Sequence, residues 1–231
     1  MSAEEQKRRA ALGALDYVED GMRLGLGTGS TAVHFVDAIG ARVADGLNVV
    51  CVPTSEATAA QARGLNIPLT SLDETPEIDL TIDGADELDS ALNLIKGGGG
   101  ALLREKIVAS ASARMVIIAD ASKHVAVLGQ FALPVEVVPF GAEVTSRRLQ
   151  QVCADFGCEG DVTLRTRDHE AFITDGGHLI YDCAFGRIGD AAGLAVELNR
   201  IPGVVENGLF ISMASVAVIG TDNGIETLEQ G

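Results

Sequence analysis

Short apolar segments alternate with helix-like segments along the first 120 residues, and this alternation restricts the possible folds more than any other feature of the chain. Strands are expected at 22–26, 48–52, 67–72, 79–83 and 114–120, and helices at 4–19, 30–43, 54–64 and 101–112. The third helix is expected to have a hydroxyl cap at Thr54 or Ser55. The strand segments lack a clean alternation of apolar and polar residues, as is typical of strands covered on both faces. The pattern therefore predicts an α/β fold with a parallel sheet, whose ligands bind beyond the carboxyl ends of the strands.

The pattern changes near Phe131, where strands and helices follow in an order typical of a small α+β, ferredoxin-like unit. Residues 171–183 are expected to form a hairpin that turns at 175–177. Residues 215–221 again resemble a strand of the first sheet. We therefore expect a sheet domain from 1–129 and 205–231 and an inserted α+β domain from 130–204, which takes part in oligomer contacts.

Composition and charge exclude several classes of protein. The net charge of −16 opposes binding to nucleic acid or to an anionic membrane. No run of 18 apolar residues is present, and the charged N-terminal segment lacks the features of a signal peptide. We expect a cytoplasmic protein with neither membrane nor nucleic acid as a partner. The four cysteines have no metal-binding spacing and are expected to be inert thiols.

Lysine is scarce in this acid-rich chain, a bias that is typical of adaptation to a salty cytoplasm. An anionic small substrate would still require local positive charge. Each of the four lysines is therefore a functional candidate: Lys7, Lys96, Lys106 and Lys123.

The stretch GLGTGSTA at 25–32 lies between an expected strand and an expected helix. Its glycines match the G-x-G-x-x-A pattern of dinucleotide sites, but the next strand ends in CVPTSE rather than in an acidic residue. A monophosphate fits better, since the turn offers backbone N–H groups, a helix N-terminus and the hydroxyls of Thr28, Ser30 and Thr31. A tight turn with a hydroxyl-capped helix is the structural alternative.

Acidic residues are concentrated in TIDGADE, at 81–87, where an expected strand ends at Asp83 and Asp86 and Glu87 follow. Carboxylates this close together raise one another's pKa unless a cation lies among them. A metal site is one interpretation, but no histidine or cysteine joins them and the spacing is not that of an EF-hand. Binding of sugar hydroxyls and a solvated acidic turn are the others.

The stretch KGGGGALLREKI, 96–107, places Lys96 before four glycines and a helix that carries Glu105. The glycines at 97–100 permit close approach of a ligand to the backbone, although a flexible hinge is the alternative. Lys123, in ADASKHV, follows the last strand of the sheet and is expected on the same rim.

Together with PTSEAT, these motifs resemble, in order and spacing, ribose-5-phosphate isomerase of the A type, and the similarity continues through LPVEVVPF, IPGVVENGLF and VAVIGT. The resemblance implies a Rossmann-like domain with an inserted α+β domain, in homodimers or tetramers. It implies interconversion of D-ribose 5-phosphate and D-ribulose 5-phosphate in the non-oxidative pentose phosphate pathway, with no metal and no cofactor. The partner is then a small sugar phosphate.

The resemblance also implies the site residues. The general base falls on Glu105, with Asp83, Lys96 and Asp86 as the other catalytic positions. Positions that contact substrate are Lys7, Thr28, Gly29, Ser30, Thr31, Asp83, Gly84, Ala85, Asp86, Lys96, Gly97, Gly98, Gly99 and Lys123. The chain departs from the family at Gly100, where alanine is common.

Two rival functions follow from the same motifs. A nicotinamide-dependent dehydrogenase would use the turn at 25–32. A sugar-phosphate-sensing transcription regulator would need a basic DNA-binding segment, which neither terminus offers.

Overall fold

The computed structural model describes residues 2–158 and 160–230. The strands in this part of the chain are β1 Arg23–Leu26, β2 Val50–Pro53, β3 Leu80–Gly84, β4 Glu87–Leu88, β5 Leu94–Ile95, β6 Met115–Asp120, β7 Leu133–Val137, β8 Val162–Leu164, β9 Thr166–Arg167, β10 Glu170–Ala171, β11 Leu179–Cys183, β12 Val204–Asn207, β13 Leu209–Phe210, β14 Val216–Thr221 and β15 Gly224–Glu229. The α-helices are α1 Ala3–Gly13, α2 Ala32–Ala44, α3 Glu56–Gly64, α4 Leu102–Ser110, α5 Ala142–Asp155 and α6 Ala191–Asn199.

A six-stranded sheet in the order β15-β14-β6-β3-β1-β2 forms the centre of the molecule. All its neighbours pair in parallel except β14 and β15, which are antiparallel. Every residue of β6 is buried, which explains the apolar run from Met115 to Ala119 that precedes Asp120. The predicted α/β fold with a parallel central sheet is confirmed.

Apolar side chains cover both faces of this sheet. On one face Phe35 and Ile39 of α2 pack with Leu24 and Ile82, and on the other Phe210 belongs to a separate buried cluster around Met115 and Ile117. The helices therefore hold the strand ends rigidly, and the loops that follow those ends are placed on a fixed frame.

A second, antiparallel sheet in the order β12-β7-β11-β8 uses strands from between residues 133 and 207 and packs with α5 and α6 around its own apolar cluster. A third, three-stranded sheet in the order β13-β5-β4 connects the two regions. None of its short strands was expected from the sequence, because each has only two residues and its stability depends on distant pairing.

Several expected elements are corrected by the structure. Residues 67–72 do not form a strand, because Leu69 makes only an isolated bridge to Cys51. The helix expected at 4–19 ends at Gly13 and continues as a 3₁₀ turn. The expected hairpin at 171–183 has its turn, with the Thr174 N–H donating to the His178 carbonyl, but β10 pairs with β9 and not with β11.

Cap predictions near residue 55 are confirmed, since the Ser55 hydroxyl accepts the Thr58 N–H at 3.1 Å at the start of α3. Within the described residues, no helix is both long and apolar enough to cross a membrane.

Candidate active site

Loops that follow β1, β3, β5 and β6 meet at one pocket. The predicted site residues that line it are Thr28, Gly29, Ser30, Thr31, Gly84, Ala85, Asp86, Lys96, Gly97, Gly99, Glu105 and Lys123. The glycine stretch follows β5, which belongs to the three-stranded sheet and not to the central sheet.

Three predicted residues do not line this pocket. Asp83 lies fully buried beside it, and Gly98 lies behind Asp86, to which its N–H donates at 2.7 Å. Lys7, on α1, has its ammonium 3.8 Å from the Glu4 carboxylate. The structure therefore does not place Lys7 with the other predicted residues.

A buried ammonium lies between two buried carboxylates beside the pocket. Lys96 Nζ is 3.0 Å from Asp83 Oδ2 and 3.3 Å from Glu105 Oε1, and it donates to the Gly84 carbonyl. The three side chains are at most 5% exposed. The ammonium is therefore within ion-pair distance of both carboxyls and donates one hydrogen bond to the backbone.

When both carboxyls are ionised, the cluster of one ammonium and two carboxylates carries a net charge of −1. Burial of this negative charge is unfavourable, and the pKa values of the carboxyls are raised accordingly. Burial and the neighbouring Asp83 raise the pKa of Glu105 to about 8, although Lys96 opposes the shift. Burial also raises the pKa of Asp83, against the opposing charge of Lys96. Burial alone would lower the pKa of Lys96, but Asp83 and Glu105 outweigh it and raise that pKa.

The two carboxyls differ in the backbone donors that they accept. Asp83 Oδ1 accepts the N–H groups of Thr28 and Gly84 at 3.1 and 2.7 Å, whereas Glu105 accepts from no backbone N–H; Asp83 Oδ2 and Glu105 Oε2 both lack a hydrogen-bond partner among the described residues. Donors stabilise the ionised form, so they favour ionisation of Asp83 over that of Glu105. A Cβ on Gly27 would lie 2.2 Å from Asp83 Oδ1, which is why glycine is required there.

Backbone N–H groups are available where α2 begins. Val33 donates to the Gly29 carbonyl, but the N–H groups of Ser30 and Thr31 donate to no group that the structure describes. Unpaired N–H groups at a helix N-terminus attract anions. Lys123 lines the same pocket and adds positive charge.

The hydroxyl of Thr28 was expected to bind phosphate, but in the structure it contacts other hydroxyl groups. Its Oγ1 lies 2.7, 2.8 and 3.1 Å from the hydroxyl oxygens of Thr54, Ser55 and Thr58. These hydroxyls connect the first loop to the start of α3. Three of these hydroxyls belong to the sequence stretch PTSEAT. Their contact with Thr28 could not be predicted, because Thr28 follows β1 whereas these three residues follow β2.

The glycine stretch is a fixed loop in this structure. Gly100 has φ +83°, and a Cβ there would lie 2.3 Å from the ring of Phe172. The Gly100 N–H donates to the Gly97 carbonyl at 3.0 Å, which closes a tight turn. The hinge interpretation is thus disfavoured, because the loop is packed and hydrogen-bonded.

Comparison with known proteins identifies the family. The model of a family described as ribose 5-phosphate isomerase A (phosphoriboisomerase A) matches residues 50–224. Proteins named ribose-5-phosphate isomerase A from Parvibaculum lavamentivorans and Rhodopseudomonas palustris are 59% and 61% identical to the chain, over 99% and 100% of it and all of their own lengths. The chain belongs to the ribose 5-phosphate isomerase A family. The known reaction of this family interconverts ribose 5-phosphate and ribulose 5-phosphate, so the chain is an isomerase.

Solved structures of the isomerase agree with the fold. The ribose 5-phosphate isomerase of Plasmodium falciparum has a TM-score of 0.92 at 40% identity and covers 98% of each chain. That of Methanocaldococcus jannaschii has a TM-score of 0.91 at 41% identity, covering 99% of this chain and all of its own. A D-ribose-5-phosphate isomerase in complex with phospho-erythronic acid has a TM-score of 0.92 at 39% identity, covering 99% of this chain and 100% of its own. The dehydrogenase and regulator alternatives are therefore not supported.

Sequence reasoning missed two residues beside the isomerase pocket. Arg165 donates to the carbonyls of Gly97 and Gly98 at 2.7 and 3.3 Å, and Phe172 packs on Gly100. Both come from the segment between β8 and β11, which is distant in sequence from the glycine loop. Nothing in the local pattern indicated this contact.

Lys106, a candidate only because lysine is rare, does not line the pocket. Its ammonium donates to Glu206 and to the carbonyls of Asn207 and Leu209, at 2.6–2.9 Å. Burial lowers the pKa of Lys106, against the charge of Glu206. The residue therefore joins α4 to β12 and β13.

Nowhere in residues 2–158 and 160–230 do three or more His, Cys, Asp or Glu side chains form a group that could hold a metal ion.

Proposed function

We propose that this isomerase transfers a proton between the first two carbons of D-ribose 5-phosphate through an enediolate, with Glu105 as the general base. The observation that carries the proposal is the buried cluster in which Lys96 lies within 3.3 Å of both Asp83 and Glu105. A carboxylate with a pKa of about 8 is a strong enough base to take a carbon-bound proton and can return it.

The proton inventory of the reaction balances. Glu105 removes the proton from carbon 2 of the open-chain aldose, and the electron pair moves to the carbonyl oxygen on carbon 1. The protonated Glu105 then returns the proton to carbon 1, while the hydroxyl proton on oxygen 2 moves to oxygen 1. We assign that second transfer and the opening of the sugar ring to Asp83, which lies buried beside the pocket and accepts the Gly84 N–H.

Charge that develops on the oxygens is stabilised by Lys96 and by the N–H of Gly99. When Glu105 takes up the substrate proton, its hold on Lys96 weakens, and the ammonium is released toward the enediolate. Preorganised donors of this kind typically contribute about 100- to 1000-fold in rate each. Asp86, fixed by the Gly98 N–H, is assigned to a sugar hydroxyl.

The phosphate is assigned to the start of α2, where the N–H groups of Ser30 and Thr31 are unpaired within the described residues. Lys123 supplies the counter-charge. Binding at this end orients the reacting carbons without taking part in the chemistry. Lys7 is assigned a role near the phosphate on the family resemblance alone, since it does not line the pocket.

Assembly and location are part of the same proposal. We assign the chain to the cytoplasm and to homodimers or tetramers, with residues 130–204 as an inserted domain that takes part in subunit contacts. The second sheet has an apolar cluster of its own, although Ile95 and Leu209 also belong to it, and Phe140 and Val144 are exposed; both observations support this. The reaction is assigned as metal-independent and without a cofactor.

Glu105→Gln tests the mechanism. The variant should bind ribose 5-phosphate in calorimetry but lose about 100- to 10,000-fold in turnover, the usual contribution of a general base. Turnover within tenfold of the unmodified enzyme would rule out Glu105 as the base. Treatment with a chelator should leave the rate unchanged, and a loss that a divalent metal restores would reject the metal-independent reaction.

A further inference from the structure

Arg165 holds the outer side of the glycine loop. It lies between β8 and β9, and its Nη1 donates to the Gly97 carbonyl at 2.7 Å and to the Gly98 carbonyl at 3.3 Å. The other side of the guanidinium is fixed by Asp182, which accepts from Nε at 2.9 Å and from Nη2 at 2.5 Å. The Arg165 side chain is only 15% exposed. A two-point pair of this kind sets both the position and the plane of the guanidinium.

The two carbonyls determine where two N–H groups point. The carbonyl of one residue and the N–H of the next belong to a single planar trans peptide and point in opposite directions. Because Arg165 draws the Gly97 and Gly98 carbonyls to itself, the N–H groups of Gly98 and Gly99 are directed away from it. The Gly98 N–H donates to Asp86 at 2.7 Å, and Gly99 lines the pocket.

Charge adds to this geometric effect. A guanidinium on a peptide carbonyl polarises that peptide and strengthens its N–H as a donor by about 10–30% in cooperative chains. Four glycines have no side chains to restrict the loop, and their backbone is the most flexible that a chain can have. Contacts from outside the loop, such as that of Arg165, therefore contribute to the preorganisation of its donors.

The same segment touches the loop and its surroundings at further points. The Phe172 ring packs on Gly100. Asp175 accepts the Glu56 N–H at 2.8 Å and lies 3.6 Å from Arg104, the neighbour of Glu105 in α4. The residues between β8 and β11 thus cross from the second sheet to the elements around the pocket.

We propose that Arg165, oriented by Asp182, is a positioning residue for the isomerisation: it fixes the glycine loop so that the N–H of Gly99 faces the developing enediolate and the N–H of Gly98 orients Asp86. This inference rests on the proposed function. It predicts that loss of Arg165 affects the transition state more than the binding of the substrate phosphate.

Arg165→Met should lower kcat by about 10- to 100-fold, less than direct loss of a donor, while KM for ribose 5-phosphate changes less than threefold. Phospho-erythronic acid has a carboxylate that carries negative charge, as the oxygens of the enediolate do. The affinity for this acid should fall in parallel with kcat, and the affinity for inorganic phosphate should not. Guanidinium ion at millimolar concentration should restore part of the rate of Arg165→Ala. The matched control is Arg167→Met, because Arg167 lies 4.7 Å from the Phe172 ring but does not bond to the loop.

An unchanged kcat in Arg165→Met would overturn the inference. So would a loss of kcat without guanidinium rescue, or one equalled by Arg167→Met, because these point to general damage. Should Arg165→Met fail to fold, Asp182→Asn replaces it: a lower kcat at unchanged KM supports the inference, and an unchanged kcat overturns it. An inactive parent enzyme would instead refute the proposed function, so the two failures are distinguishable.

Discussion

Replacing Glu105 by glutamine should stabilise the fold while it abolishes the reaction, and the stabilisation should depend on pH. Glutamine has nearly the shape of a protonated glutamate, and its amide oxygen can still accept from Lys96. What it lacks is the unfavourable ionisation of a carboxyl that is 4% exposed in the folded protein.

The size of the effect follows from the pKa of Glu105, which is 4.5 in its ordinary state and about 8 in the folded protein. Between these values the folded state keeps the proton and the unfolded state loses it, so this group makes stability fall as pH rises from 4.5 to 8. Through this group, the free energy of unfolding is lowered by roughly 1 kcal/mol at pH 5 and by roughly 4 kcal/mol at pH 8. Glu105→Gln removes it.

Urea unfolding of both proteins at pH 5 and pH 8 measures this difference, because titrating groups outside the cluster of Asp83, Lys96 and Glu105 cancel between them. Glu105→Gln should be more stable, with a gain that grows by roughly 3 kcal/mol across that range. Glu226→Gln, at an exposed position of β15, is the control and should show no growing gain. A gain that stays constant with pH would refute the raised pKa and the burial argument behind it.

Three further predictions concern the pH profile, the loop and the phosphate. Because the base must be ionised, kcat/KM should rise about tenfold per pH unit below the pKa of Glu105 and level off above about 8; a profile flat from pH 6 would contradict this. Gly100→Ala should lower the free energy of unfolding by roughly 2–4 kcal/mol, since it combines a left-handed backbone with overlap on Phe172. The control is Gly46→Ala, at φ +104° in open space, which should lower the free energy of unfolding in urea by only roughly 1–2 kcal/mol. Equal losses in the two variants would count against the overlap with Phe172. Lys123→Met should raise KM about tenfold and leave kcat within about twofold in a coupled ribulose 5-phosphate assay, and an unchanged KM would exclude its phosphate contact.

Much of the central sheet was predictable because its signals are local. The apolar run at 114–120 became β6 almost residue for residue, and Ser55 capped α3 as its hydroxyl suggested. Residues 67–72 were mistaken for a strand because an apolar pattern does not reveal whether a partner strand lies beside it; here Leu69 forms only a bridge. Pairing is a property of two segments, and a single sequence shows one at a time.

The same limit applied to the site. Residues grouped in motifs, such as Asp83 and Asp86, came to the pocket region together because one loop carries them. The clamp by Arg165 could not be found, because it depends on how the second sheet packs against the first. Lys7 had only the resemblance in its favour, and the structure places its ammonium beside Glu4.

The strand that precedes Lys96 pairs with a strand far along the chain, and this pairing affects the order in which the protein folds during its synthesis. The Lys96 N–H bonds to the Gly208 carbonyl, and β5 pairs with β13, more than a hundred residues further on. As the polypeptide leaves the ribosome, the segment that precedes the buried lysine can pair with β4, but its second partner strand is missing until residue 210 has emerged. The surroundings of the charge cluster are therefore completed only after most of the chain has been translated, because the pairing of β5 with β13 closes a long loop.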